Sequence, residues 1–306
     1  MGKQALVIGG TGFLGCAIVE ELIKGGWEVS SLGRGNKPNH SKKAEFIQAD
    51  RSIPGAMESA LNNRKFDLVV DCAAYNQMDA EHALNCFRDR AAHYILISTD
   101  YVYAAIHGTR YPITEQHPTQ EELTYSSGKL DCEKLLLDAW HEYGFPVTVL
   151  RPPHILGAGR SLGCDQAQGR DAGLLHKIRQ GEGLVLVAEG QMLIQPVWNR
   201  EIGACIVHIA GQGASFGEIF HCTGPDAVTA EDYYRIIADY LSVPLVFESM
   251  SRAALIQEKP NVKHHTRHRL YDTSLLQKKT GYIPQYKLQT AIHETIEWME
   301  QQLFSQ

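Results

Sequence analysis

The 306-residue sequence has little of what marks several large classes of protein. Its seven cysteines are scattered, odd in number and never in a CxxC pair. A disulfide framework or a cysteine-ligated metal centre is therefore not expected; buried, reduced thiols are. Positive charge is short, with 29 Lys and Arg against 35 Asp and Glu for a formal net charge of −6. Nucleic acid rewards a concentrated basic footprint, so this balance argues against such a partner. Long apolar runs are missing too: none approaches the ~18 residues of a membrane span. Met1-Gly2-Lys3-Gln4 passes straight into a strand-like run that a glycine turn interrupts, unlike a signal peptide. Position 6 is Leu, where a myristoylation signal needs Ser or Thr. The expectation is a cytoplasmic chain without membrane contact.

What is there reads as an ordinary globular chain, long enough for one large domain or two that share an interface. Its first half alternates short β-rich runs with helical ones. Ala5-Leu6-Val7-Ile8-Gly9 is apolar throughout, as a strand buried on both faces is. A helix is expected over 15–24, with Ile18, Leu22 and Ile23 on one stripe and Gly25-Gly26 as its stop. Strands follow at 28–32, 44–48, 66–72, 94–98 and 146–150, and helices around 58–62, at 79–90 and at 124–143. Strands alternating with helices predict βαβ units: an α/β fold, a Rossmann-type doubly wound parallel sheet over 1–155. Beyond it, residues 156–306 are expected to form a smaller substrate-binding domain, with some segments returning to the first. There 157–173 reads as a long loop, and helices are expected at 174–180, 201–210, 228–241 and 287–302.

Gly9-Gly10-Thr11-Gly12-Phe13-Leu14-Gly15 places glycines in G-x-x-G-x-x-G spacing between the first strand and the first helix. Glycine permits the tight turn and the close approach of backbone amides to a pyrophosphate, and the helix N-terminus adds unpaired N–H donors. NAD-preferring sites place a carboxylate at the end of the second strand for the ribose 2′-hydroxyl. Here that end reads Ser31-Leu32-Gly33-Arg34-Gly35-Asn36-Lys37, with cations instead. This favours NADP over NAD. Asp50, after the third strand, is placed to meet adenine; Arg51 beside it, with Ala73 and Ala74 after the fourth strand, are further candidate cofactor contacts.

Tyr125-Ser126-Ser127-Gly128-Lys129 puts Tyr and Lys four apart on one helix face. A free tyrosine has a pKa near ~10. A neighbouring ammonium, together with the positive nicotinamide of an oxidised cofactor, would favour the phenolate, so that Tyr125 could take a proton from a substrate hydroxyl or return one to a carbonyl oxygen. Thr99, at the end of the fifth strand, is the third member, able to hydrogen-bond the same oxygen. Tyr75, Asp100 and His154 are candidate substrate contacts, His154 also a cofactor contact.

GGTGFLG, Asp50, DCAAY, STDYVY, YSSGK and RPPHILG stand in the order and spacing of extended short-chain dehydrogenases, the NAD-dependent epimerase/dehydratase family, which the chain resembles over nearly its whole length. GRGNKP and FDLVVDCAAYNQMDAEHAL are similar to the branch that contains chloroplast stem-loop-binding proteins and their bacterial relatives. The resemblance implies that Thr99, Tyr125 and Lys129 are catalytic, that Pro152 to Ile155, with His154, line the nicotinamide, and that the chain forms a homodimer through helices equivalent to 79–90 and 124–143. The family's sugar dehydratases carry Asp-Glu after the catalytic Thr, whereas this chain has Thr99-Asp100-Tyr101, like deoxysugar ketoreductases. The expected function is an NAD(P)-dependent epimerase or ketoreductase acting on a small, sugar-like substrate. The alternative is a binding protein that keeps the cofactor fold. His264, His265 and His268 read as a solvated polar loop rather than a metal site, Arg200 as a surface ion pair, and no metal is expected.

Overall fold

The computed structural model describes residues 2–36 and 41–303. Seven strands form one sheet: β1 (Gln4–Ile8), β2 (Glu28–Gly33), β3 (Glu45–Gln48), β4 (Leu68–Asp71), β5 (Tyr94–Ile97), β6 (Val147–Arg151) and β7 (Ile219–His221). Their order is β7-β6-β5-β4-β1-β2-β3, and every pairing is parallel. The central strands are apolar on both faces because helices cover both sides. The register aligns the carboxyl ends: Ile8 lies opposite Leu32 and Asp71, and Ile97 opposite Leu150. The loops after β1, β2, β4, β5 and β6 therefore open onto one crevice, where the chain reverses direction across the sheet.

Helices α1 (Phe13–Lys24), α2 (Ala56–Leu61), α3 (Gln77–Phe87) and α4 (Thr124–Tyr143) flank the sheet, with α3 and α4 side by side. The second half contributes α5 (Leu174–Arg179), α6 (Asn199–Ile209), α7 (Ala230–Tyr240), α8 (Arg252–Glu258), α9 (Ser274–Thr280) and α10 (Leu288–Leu303). Of these, α6 packs on α1, and β7 extends the main sheet beside β6. Ile202, Ile206, Phe220 and Leu276 accordingly lie in one core with Ala5, Val7, Ile18 and Leu22. The sheet domain thus draws on residues well beyond 155. The run Ile219-Phe220-His221 is too short to announce itself as a strand in the sequence.

The rest of the second half builds a smaller lobe, whose core joins Leu174, Leu175 and Ile178 of α5, Tyr233, Tyr234 and Ile237 of α7, and Ile292 and Ile296 of α10. A capping box fixes the start of α7: Thr229 accepts from the Asp232 amide and Asp232 accepts from the Thr229 amide. No helix among the described residues is long and apolar enough to cross a membrane.

Candidate active site

The carboxyl ends of the strands, the glycine turn and the loop after β6 enclose a cleft of about 1000 Å³. The turn is tight. Gly9 has φ +79°, its amide donates to Leu32 O at 2.8 Å, and its carbonyl accepts from Gly12 N at 2.9 Å. A Cβ on Gly15 would stand 2.2 Å from that same carbonyl, so only glycine lets α1 start this close to β1. Gly12 caps α1 without a side-chain acceptor, which leaves the first amides of the helix to a ligand. Gly9, Thr11, Gly12, Phe13, Leu14 and Gly15 all border the cleft.

Arg34 and Asn36 are exposed at the rim, just past β2. Lys37 lies outside the described residues. Asp50 is at the same end, with Oδ1 accepting from Ser52 N at 3.0 Å and Ser52 Oγ at 2.7 Å, which holds its carboxyl below the usual range. Arg51, expected as a cofactor contact, borders the cleft but is already committed: Nη1 binds both oxygens of Asp71 at 2.6 and 2.7 Å, and Nη2 binds Asp79 O at 2.6 Å. Asp71 also accepts from Tyr94 OH at 2.5 Å and from Ala73 N at 2.8 Å. Arg51 thereby braces the Cys72–Gln77 loop under the cleft. Ala73 and Tyr75 face that cleft, whereas Ala74 is fully buried behind it. Pro152 is likewise buried, its carbonyl accepting from Asp100 N at 3.1 Å, while Pro153, His154 and Ile155 form the wall.

Thr99, Tyr125 and Lys129 all border the cleft. Thr99 Oγ1 accepts from Tyr101 N at 3.2 Å, and the Tyr125 side chain lies beside Thr99. Helix α4 reaches this place because Gly128 has no Cβ; one there would stand 2.1 Å from Tyr75 O. Lys129 is buried, and its Nζ donates to Ala74 O at 2.7 Å and Ile97 O at 2.8 Å. Two backbone carbonyls thus fix the ammonium on the face of α4 that carries Tyr125. Tyr125 is 44% exposed to the cleft; partial desolvation there, with the neighbouring Tyr75, raises its pKa to about 12, so it is a phenol at neutral pH.

Asp100 is tied into a buried pair. Its Oδ2 accepts from Arg269 Nε and Nη2 at 2.7 Å each and from Tyr271 OH at 2.5 Å. This overturns the reading of 264–268 as solvated: His264 and His265 are buried, and the His265 ring stacks on Tyr101 with centroids 3.6 Å apart. The polar run is drawn inward by Asp100, which sits 169 residues away in sequence and gives no local signal. No group of residues able to hold a metal occurs among the described residues. Arg200 pairs with Glu294 at 2.9 Å.

Arg160 and Arg170, in the glycine-rich segment read as loop, also border the cleft. Arg170 donates to Ser161 O at 2.9 Å and to Ile155 O, and it has no carboxylate partner among the described residues. Asp79 is paired with Arg51 and Asp100 with Arg269. The substrate side of the cleft is thus net positive. His154 is half-buried in this wall; desolvation, then the charges of Arg170, Arg269 and Arg160, hold its pKa well below the ordinary value, and its Nε2 has no partner. Size, glycine cradle and unpartnered donors fit a dinucleotide lying across the sheet with a second, anionic ligand next to it.

The comparisons agree with this geometry. Residues 3–300 match the family described as RmlD substrate binding domain. A dTDP-4-dehydrorhamnose reductase of Streptomyces griseus is 25% identical over 255 residues, 76% of this chain and 75% of that protein. The chloroplast stem-loop binding protein of 41 kDa b of Arabidopsis thaliana is 23% identical over 250 residues, 77% of this chain and 62% of that one. The crystal structure of a dTDP-glucose 4,6-dehydratase of Bacillus anthracis, solved with NAD, superposes with a TM-score of 0.79 at 18% identity and covers 98% of this chain and 97% of that one. The chain belongs to the RmlD substrate binding domain family and is an NAD(P)-dependent oxidoreductase of the extended short-chain dehydrogenase/reductase type.

Proposed function

We propose that this protein reduces the keto group of a nucleotide-activated sugar, with NADPH preferred over NADH. The observation that carries the reading is geometric: the buried Asp100–Arg269 pair beside Thr99. Tyr125 is held as a phenol beside Thr99, and the carboxylate that follows Thr99 is neutralised by Arg269. A phenol is the form that can give a proton to a carbonyl oxygen. Eliminating water from a sugar needs a free acid and base next to the threonine, and here those places hold the paired Asp100 and Tyr101.

A reduced nicotinamide, when bound along the glycine turn, would supply the hydride. Thr99 and Tyr125 hold the carbonyl oxygen between two hydroxyls, and Tyr125 passes its proton to that oxygen. Lys129, anchored by Ala74 and Ile97, keeps a positive charge on the same helix face for the phenolate that results. Arg160 and Arg170 offer their charge to a diphosphate. Arg34, exposed just past β2, would offer its charge to a 2′-phosphate. The resemblance to a dTDP-4-dehydrorhamnose reductase supports the same reading.

The test is to denature the purified protein, weigh any released nucleotide, and then follow NADPH and NADH consumption with a dTDP-4-keto-6-deoxyhexose. Turnover of added NADPH by a protein that carries no tightly held nucleotide supports the proposal. Stoichiometric bound NAD⁺ with no net consumption points instead to an epimerase that recycles its cofactor.

A further inference from the structure

We propose that Glu133 is a positioning residue that holds the catalytic helix in register with the strand end that carries Thr99. The inference rests on the assignment of Thr99, Tyr125 and Lys129 to the reaction. Tyr125, Lys129 and Glu133 follow one another at four-residue spacing on α4 and so share one face. That face presses on the end of β5. Lys129 Nζ holds Ile97 O at 2.8 Å, and Ser98, the next residue, donates its hydroxyl to Glu133 Oε1. Two successive residues of the strand end are thus latched to two successive turns of the helix. The latch stops one residue short of the hydroxyl that shares an oxygen with Tyr125.

The second side of the carboxylate reaches another wall. Arg151 Nε donates to Glu133 Oε1 at 3.0 Å and Nη2 to Oε2 at 2.5 Å. Arg151 closes β6, and the chain continues from it into Pro153 and His154 of the cleft wall. One carboxylate therefore joins α4 to the ends of β5 and β6, the three elements that frame the reacting atoms. Glu133 and Arg151 are 2% and 4% exposed and do not border the cleft, so neither touches a ligand.

Stability alone is a poor account of this pair. An apolar pair of similar volume usually stabilises a core as well as a buried ion pair does. What the charges add is direction: they fix where the Ser98 hydroxyl, and with it the strand end, must sit. Misplacing a reacting group by ~1 Å can cost about a hundredfold in rate.

Two variants test this. Ser98→Ala removes the latch and leaves the ion pair intact. The double variant Glu133→Met with Arg151→Met replaces the pair by apolar side chains, avoids a lone buried charge, and lies away from the cleft that Ser98 borders. Both are expected to bind NADPH as the wild type does and to keep KM for the keto sugar, while kcat falls by roughly ten- to a hundredfold. The double variant also removes the Arg151 donor to Tyr103 OH and Glu115 O and the acceptor of the Ser98 hydroxyl, so a modest fall in melting temperature is expected beside the loss of kcat. Wild-type kcat in the double variant, or a loss confined to melting temperature, overturns the proposal. If the wild type reduces no keto sugar, the ketoreductase reading falls by itself. The emission of bound NADPH and the hydrogen exchange of amides 124–133 then compare the variants, and no change in either overturns the positioning role.

Discussion

Asp100 and Arg269, 169 residues apart in sequence, form a buried ion pair in which both Arg269 Nε and Nη2 lie 2.7 Å from Asp100 Oδ2. The pair ties the turn after Thr99 to the segment that lays His265 over Tyr101. Removing one partner leaves a charge buried without compensation. Arg269→Met is expected to cost about 3–5 kcal/mol in urea unfolding, and adding Asp100→Asn should recover much of it. Equal midpoints for the wild type and Arg269→Met would show that the pair contributes nothing.

Tyr125→Phe removes the proton donor and leaves the ring. Its kcat for keto reduction should fall by about 10²–10⁴-fold with NADPH affinity unchanged. The pH dependence has a definite sign. Burial and Tyr75 place the phenol pKa at about 12, so the donating form is complete at neutral pH. Reduction should stay level through the neutral range and decline as pH approaches that value, while the reverse oxidation, which needs the phenolate, should rise with pH. Initial rates in both directions test this; an oxidation rate flat with pH contradicts it.

The glycine turn and the Tyr125-to-Lys129 spacing are local patterns, and the sequence shows both, together with β1 to β6 and α4 over 124–143. What stays hidden depends on partners far along the chain. Nothing near 264–269 indicates that Asp100 will draw it inward, and Ile219-Phe220-His221 becomes a strand only because β6 offers it an edge. The commitment of Arg51 to Asp71 and Asp79 is hidden for the same reason. Arg160 and Arg170 lie in a segment whose glycines and polar residues say loop but not which wall it builds.

Arg34 is an exposed cation at the rim of the cleft, just past β2. If it meets a 2′-phosphate, Arg34→Ala should weaken NADPH by about tenfold or more, the worth of a hydrogen bond to a charged group, and leave NADH nearly as before. Titration of nicotinamide fluorescence with each cofactor reads the difference. Equal, small changes for both would place Arg34 in solvent.

Two buried histidines set an acid limit on stability. His93 holds Thr148 Oγ1 at 2.8 Å and accepts from Gly211 N at 3.1 Å, and burial lowers its pKa from 6.5 to about 3. His221, between Tyr103 and Asp272 O, is lowered by burial to about 4. In the unfolded chain both protonate near 6.5, so their contribution is complete above that pH and is lost as pH falls toward 4 and 3. Each group steepens the fall by up to ~1.4 kcal/mol per pH unit. Urea midpoints from pH 7 downward should drop, and His93→Gln should drop less steeply; an identical slope would remove His93 from the account.

The glycine turn gives the sharpest separation of binding from folding. At Gly15 a methyl group would stand 2.2 Å from Gly9 O and 2.8 Å from Gly10 Cα, both backbone atoms that cannot swing aside. Gly15→Ala must therefore push α1 away from β1 and carry the first amides of the helix with it. Those amides are the donors a pyrophosphate uses. Ile18 and Leu22 lie further along α1 and pack in one core with Val7, so the helix is expected to shift at its first turn and lose some stability while staying folded. Gly15→Ala is expected to keep the wild-type circular dichroism spectrum while losing NADPH and NADH binding alike, as read by calorimetry. Intact binding of either cofactor would mean that the pyrophosphate is held elsewhere.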